Sequence, residues 1–210
     1  MTTQPTPAPR PAKSRLLQDG RDMFWSMAPL VLACIVLAGL LGMCSFQASG
    51  PGAGPAPEYD VAAGLQADAD ALKIPIRLPQ LPEGWQPNSG SRGSIDGGAT
   101  LPDGQRGRAV TSRTGYLAPD GMYLSLTQSN ADEARLVASI KPDSYPAGTQ
   151  DVDGVTWVVY ESSDPEPVWT TRLSGPAQVA ITGAGGTDEY RTLASATQKQ
   201  SPLQPTQGPT

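Results

Sequence analysis

From Met23 to Phe46 the chain runs 24 residues, MFWSMAPLVLACIVLAGLLGMCSF, without a charged side chain. At about 1.5 Å rise per residue, a helix of that length outreaches a hydrocarbon core of about 30 Å. No second run of comparable length follows. The sequence therefore predicts one membrane-spanning helix over 23–46, carrying a single domain on one side of the bilayer.

Orientation follows from the flanks, because basic residues beside a membrane helix stay on the cytoplasmic side. Arg10, Lys13, Arg15 and Arg21 precede the run, and no Lys or Arg follows it until Lys73. The N-terminus is thus expected inside and the domain outside the cell membrane. A cleaved signal peptide or lipoprotein is the alternative, since a basic segment before an apolar core also starts secretion. Signal-peptide cores are shorter, about 7–15 residues. Met43 stands before Cys44, where lipoprotein processing wants a small residue, and cleavage before Cys34 would cut the run in half.

Composition excludes several chemistries. Both cysteines, Cys34 and Cys44, fall within the apolar run, so the domain has no disulfide, no cysteine nucleophile and no thiolate metal ligand. Histidine is absent from the chain, which removes the commonest general base and zinc ligand. The sequence gives no sign of a cofactor or a metal. An anionic exported domain also argues against nucleic acid as a partner.

Low-complexity segments set the boundaries. Residues 1–22 open with a Pro- and Thr-rich stretch and read as a disordered cytoplasmic tail; 47–57, QASGPGAGPAP, read as a linker, and 198–210 as a second disordered tail. The domain proper spans 58–197. Its pattern is α+β, an antiparallel sheet with flanking helices. An amphipathic helix is expected over Tyr59–Leu72, with Val61, Leu65, Ala69 and Leu72 on one side. The prolines of IPIRLPQLPEGW (74–85) forbid helix and favour an edge strand or a fixed approach to one. Strands are expected at Ala109–Tyr116, Met122–Ser129, Val155–Tyr160, Val168–Leu173 and Gln178–Thr182. Turns fall at Pro119-Asp120-Gly121 and Ser174-Gly175-Pro176, and helices at Ala131–Ile140 and Thr187–Ala196.

Asp132–Ser139 and Asp188–Ser195 agree at five of eight positions. A duplicated strand, turn, strand, helix unit would explain this and would put the helices on one face of the sheet. Shared capping chemistry would explain it equally: Glu133 falls three residues after Asn130, and Glu189 three after Gly186. On that reading the acidic pairs belong to folding, stabilised by helix dipoles.

Several motifs together resemble a known family. The anchor preceded by Arg21-Asp22-Met23, the segment Leu81-Pro82-Glu83-Gly84-Trp85, Gly115-Tyr116, Asp120-Gly121-Met122-Tyr123, Thr127-Gln128, Val152-Asp153-Gly154-Val155-Thr156-Trp157 and the closing Leu193-Ala194-Ser195 resemble the actinobacterial membrane proteins grouped as domain of unknown function number 4245. The resemblance implies a cell-membrane protein and supplies no activity. More distantly, at the level of fold analogy, the chain resembles the Mog1/PsbP-like α/β/α sandwiches.

No catalytic constellation emerges. Asp151-Val-Asp153-Gly154 opens like a calcium loop, but Val155 onward runs straight into a strand, so a plain Asp-Gly turn is the better reading. Strand parity sends Trp157 and Trp169 where the aliphatic residues point, into the core, with a ligand platform as the other reading. Trp85, amid Pro and Gly, is the candidate for a ligand-binding surface. Cys34, Ala38 and Gly42 form a small-residue stripe through which two anchors could pack as a weak homodimer. The expected function is a non-enzymatic binding module held at the lipid bilayer, meeting an envelope protein, lipid or polymer. The alternative is a hydrolase of envelope glycans using Asp153 and Glu161.

Overall fold

The structure, a computed structural model, describes residues 15–40, 59–173 and 175–206, and in the first stretch the side chains of 23–37. The chain divides into two units, Met1–Gly54 and Pro55–Thr210.

The first unit contributes one helix, α1 (Arg15–Leu40), with Pro29 inside it. Its apolar side chains are exposed all round: Leu30, Val31 and Leu32 point in successive directions, and each is about half exposed or more. Among the described residues no helix is long and apolar enough to cross a membrane. The expected span over 23–46 extends past Leu40, outside the described residues. Of the small-residue stripe, Cys34 is exposed and unpaired, while the side chain of Ala38 and all of Gly42 lie outside the description.

The second unit is built on an antiparallel sheet. Helix α2 (Val61–Leu72) starts where Asp60 accepts a hydrogen bond from Ala63 N–H at 3.0 Å, and it stops at Lys73, whose φ of 54° is left-handed. Then come β1 (Gln86–Thr100), β2 (Arg106–Leu117), β3 (Tyr123–Ser129), α3 (Glu133–Ile140), β4 (Tyr145–Val152), β5 (Val155–Glu161), β6 (Val168–Arg172), β7 (Gln178–Gly183) and α4 (Thr187–Gln198). The sheet order is β1-β2-β3-β7-β6-β5-β4. Two meanders, β1 to β3 and β4 to β7, therefore meet where β3 pairs with β7, and α3 is the crossover between them.

Alternation along the strands places the layers. Leu124, Leu126, Trp157, Trp169, Val179 and Ile181 pack with Tyr190, Leu193 and Ala194 of α4. Their neighbours in sequence, Val168 and Ala180, pack with Leu136 and Val137 of α3 on the opposite face. Helix α2 lies on the α4 side, because its Leu65 and Ala69 pack with Val110 and its Asp68 accepts from Ser112 Oγ; both partners share parity with Tyr116. The helices thus cover both faces, which corrects the expectation of one.

The two similar octets do not occupy equivalent positions. Asp132 is the N-cap of α3, whereas Asp188 is the second residue of α4. The expected Asn130 cap is also corrected. Asn130 Oδ1 accepts from Val110 N–H at 2.8 Å, and Glu133, instead of closing a capping box, accepts from the Tyr160 hydroxyl at 2.9 Å. Gly186 is the N-cap of α4, as read from the sequence.

The proline-punctuated stretch 74–82 is extended but joins no ladder. At Arg77 a side chain takes the place of a strand: Arg77 N–H donates to Gln128 Oε1 at 2.8 Å, and Gln128 Nε2 donates to Arg77 O at 2.9 Å. Tyr59 is wedged where the domain begins. Its N–H donates to Pro87 O at 3.2 Å, and its ring fills the space that a Cβ would need at Gly64 of α2 or Gly90 of β1. Beyond α4, the expected disorder over 198–210 is not what is found through Thr206, since Leu203 N–H donates to Ile76 O at 2.7 Å.

Candidate functional site

Val152 pairs directly with Val155, so the β4–β5 hairpin turns on two residues, Asp153 and Gly154. Both have positive φ, 48° and 84°, the twist that matches a two-residue hairpin loop. Asp-Gly supplies that conformation cheaply, and Asp151 Oδ1 accepts from Gly154 N–H at 3.2 Å. The plain turn is therefore what stands at Asp151-Val-Asp153-Gly154. Among the described residues no group of three or more His, Cys, Asp or Glu is placed to hold a metal ion.

The turn presents Asp153 to α4, where Arg191, Ser195 and Lys199 recur four apart and share one side of the helix. Asp153 Oδ2 accepts from Ser195 Oγ at 2.6 Å and from Lys199 Nζ at 2.8 Å. Arg191 donates to Asp151 O at 3.0 Å and to Gln150 Oε1 at 2.6 Å. The hydrogen bonds from Lys199 and then Ser195 hold the Asp153 carboxyl below the usual carboxylate range. Beside this contact lies an open groove of about 450 Å³, with buried Val152 and Ala196 at its floor and Gln80, Pro82, Thr192 and Gln200 also lining it.

Chemically, the groove offers donors and acceptors rather than a poised acid or base. Asp153 is ionised and engaged, and Lys199 is its counterion. Two of the five N–H groups of Arg191 are spent on the hairpin, leaving the others to meet a ligand. Glu161, the proposed partner of Asp153, sits at the far end of β5 and lines a separate hollow with Asp164 and Trp169. Strand β5, Val155–Glu161, alone sets Glu161 roughly 20 Å from the turn that carries Asp153, against the 5–10 Å or so that a glycosidase needs. The structure does not bring that pair together.

The tryptophans divide as their parity requires. Trp157 and Trp169 are core residues, Trp169 with its ring 5.1 Å from that of Tyr190. Trp85 is half-buried and packs against the same cluster, which leaves only part of its ring to a ligand. Arg191, Ser195 and Lys199 escaped the sequence reading, although their four-residue spacing was a signal that one face of α4 is polar.

The family described as protein of unknown function (DUF4245) matches residues 15–197, most of the chain and all of the groove except Lys199 and Gln200. The chain belongs to the DUF4245 family. No curated protein and no solved structure matches it, so the likeness to Mog1/PsbP-like sandwiches has no matched structure behind it.

This DUF4245 domain should be acid-sensitive for a local reason. Asp153 shares its depressed pKa with Asp132, held down by Thr100 and Arg106; Asp164, held by Lys141; and Asp70, held by Thr206. A carboxyl with a lower pKa folded than unfolded stabilises the fold above its unfolded pKa, about 4, and that stabilisation is lost as the pH falls through the folded value. The thermal midpoint should therefore be level from about pH 5 to 8 and drop below about pH 4. Asp153→Asn should make the acid limb shallower; the same limb in wild type and variant would remove Asp153 from this account.

Proposed function

We propose that this DUF4245 protein is a single-pass, membrane-anchored module whose extracytoplasmic domain binds a polar component of the cell envelope without chemical turnover. The observation that carries the binding role is the state of the α4 groove. Its carboxylate, ammonium and hydroxyl neutralise one another, leaving the spare N–H groups of Arg191 and the amides of Gln80 and Gln200 over a small apolar floor. Such a surface suits reversible polar recognition better than proton transfer, which needs a group with its pKa near the working pH.

The uncharged run over 23–46 and the basic residues ahead of it support the anchor and its direction. A reporter fused after Thr210 should be active only outside the cytoplasm, and protease added to spheroplasts should digest the domain. A protected domain would reverse the orientation. For the groove, the probe is purified cell-wall sacculi. The intact protein should co-sediment with them, and Arg191→Ala combined with Lys199→Ala should abolish this at a temperature where circular dichroism shows the variant folded, since both side chains also bond the β4–β5 hairpin. Undiminished sedimentation of the double variant would take the groove out of the reading.

A further inference from the structure

After α4 the chain runs extended beside α2, and its contacts select particular residues. Leu203 donates its N–H to Ile76 O at 2.7 Å and packs its side chain against the cluster of Leu65, Ala69, Ile74 and Ile76. Gln204 O accepts from Gln66 Nε2 at 2.9 Å. Thr206 is met by both oxygens of one carboxylate: its N–H donates to Asp70 Oδ1 at 2.6 Å and its hydroxyl to Asp70 Oδ2 at 2.8 Å. Gln66 and Asp70 are four apart on α2, so they form one polar edge beside the apolar cleft.

This arrangement is how an extended peptide is read. One apolar anchor enters a cleft, one backbone bond fixes the register, and one carboxylate recognises a threonine three residues on. Pro202 and Pro205 restrict the segment before it docks, which lowers the entropy lost on binding. Ser201, Gln204, Pro205 and Thr206 remain exposed, so the segment adds little to the core of the domain.

We propose that the groove between α2 and Ile74–Ile76 is a docking site for an extended peptide of the form Leu-Xaa-Pro-Thr, and that residues 203–206 are its displaceable occupant in cis. The natural competitor is a partner segment with the same chemistry, a leucine followed three residues later by a threonine after proline. Such a segment must outcompete a tethered ligand whose effective concentration is of millimolar order. Masking by the chain's own tail thus sets the threshold for capture.

The test uses the chain ended after Gln200, which keeps the Gln200 carbonyl that accepts from Arg77. Its probe is a labelled, acetylated peptide copying Ser201–Thr206. By fluorescence anisotropy the shortened chain should bind this peptide saturably and at least about tenfold more tightly than the intact chain does. A peptide carrying Thr206→Val, or Asp70→Asn in the shortened chain, should weaken binding by a similar factor. No saturable binding by the folded, shortened chain, or equal binding by both chains, would overturn the proposal. Should the shortened chain fail to fold, the intact chain with Leu203→Ser and Thr206→Val is the substitute. It should take up the wild-type peptide, and failure to do so would overturn the proposal equally.

Discussion

Trp157→Ala should lower the unfolding free energy of the domain by about 3–5 kcal/mol, the range for emptying a large buried aromatic site. Trp157 is fully buried within the cluster that joins the sheet to α4. Its indole N–H donates to Gln198 Oε1 at 3.0 Å, and Gln198 Nε2 in turn donates to Val152 O at 2.7 Å. The residue therefore supports the floor of the groove as well as the core. Trp157→Phe keeps one aromatic ring in the site but gives up the hydrogen bond and part of the packed volume, so it should cost less than the alanine variant, on the order of 2 kcal/mol. Urea unfolding of the two variants separates the contributions. Trp157→Ala within about 1 kcal/mol of wild type would mean that the cavity collapses freely, against the close packing described for this site.

The second large effect is expected at Gln128, which acts as a substitute strand for a segment that has none. Gln128→Leu fills nearly the same space but leaves both the N–H and the carbonyl of buried Arg77 without that partner. Losing both of these buried hydrogen bonds should cost roughly 2–5 kcal/mol. The effect should spread, because the Arg77 guanidinium donates to the carbonyls of Gln198 and Gln200 at the end of α4. Hydrogen exchange provides the check: the amides of β3 and β7 should lose only the protection that the global loss of stability removes, while the Arg77 amide should lose more than they do. Unchanged protection at Arg77 would show that another acceptor replaces Gln128.

Five central strands were legible because each has a core on at least one face. Met122–Ser129 and Gln178–Thr182 alternate in the manner a two-sided sheet requires, and they emerge within a residue or so of β3 and β7. The two strands that escaped notice, β1 and β4, are the two edges of the sheet. β1 reads QPNSGSRGSIDGGAT, whose composition suggests a loop; it is a strand because β2 pairs with it along most of its length. Edge strands pack less and so carry less pattern.

The same physics explains what was hidden at the site. Arg191, Ser195 and Lys199 were visible as a stripe, but the hairpin they grip lies about 40 residues earlier and nothing local announces it. The bond between Gln128 and Arg77 spans 51 residues with no periodic signature. Leu203 was masked by its polar and proline-rich neighbours, since composition averages away a single anchor. Asn130 misled because the spacing of a capping box was present, while the neighbouring strand offered its side chain a different donor.

Tyr59 gives the domain a mechanical property. Any tension on the chain ahead of it arrives at a ring lodged between Gly64 and Gly90, with a backbone bond to Pro87 beside it. The wedge works as a stopper, passing force to a helix and a strand together before either can peel away singly. Asp68, bonded to Arg92 and Ser112, ties that helix to the same strand and to its neighbour β2 just behind it. A domain pulled from its N-terminal side should therefore yield in one step at high force, and replacing the tyrosine ring with a smaller side chain should turn that step into a gradual unzipping that begins at α2.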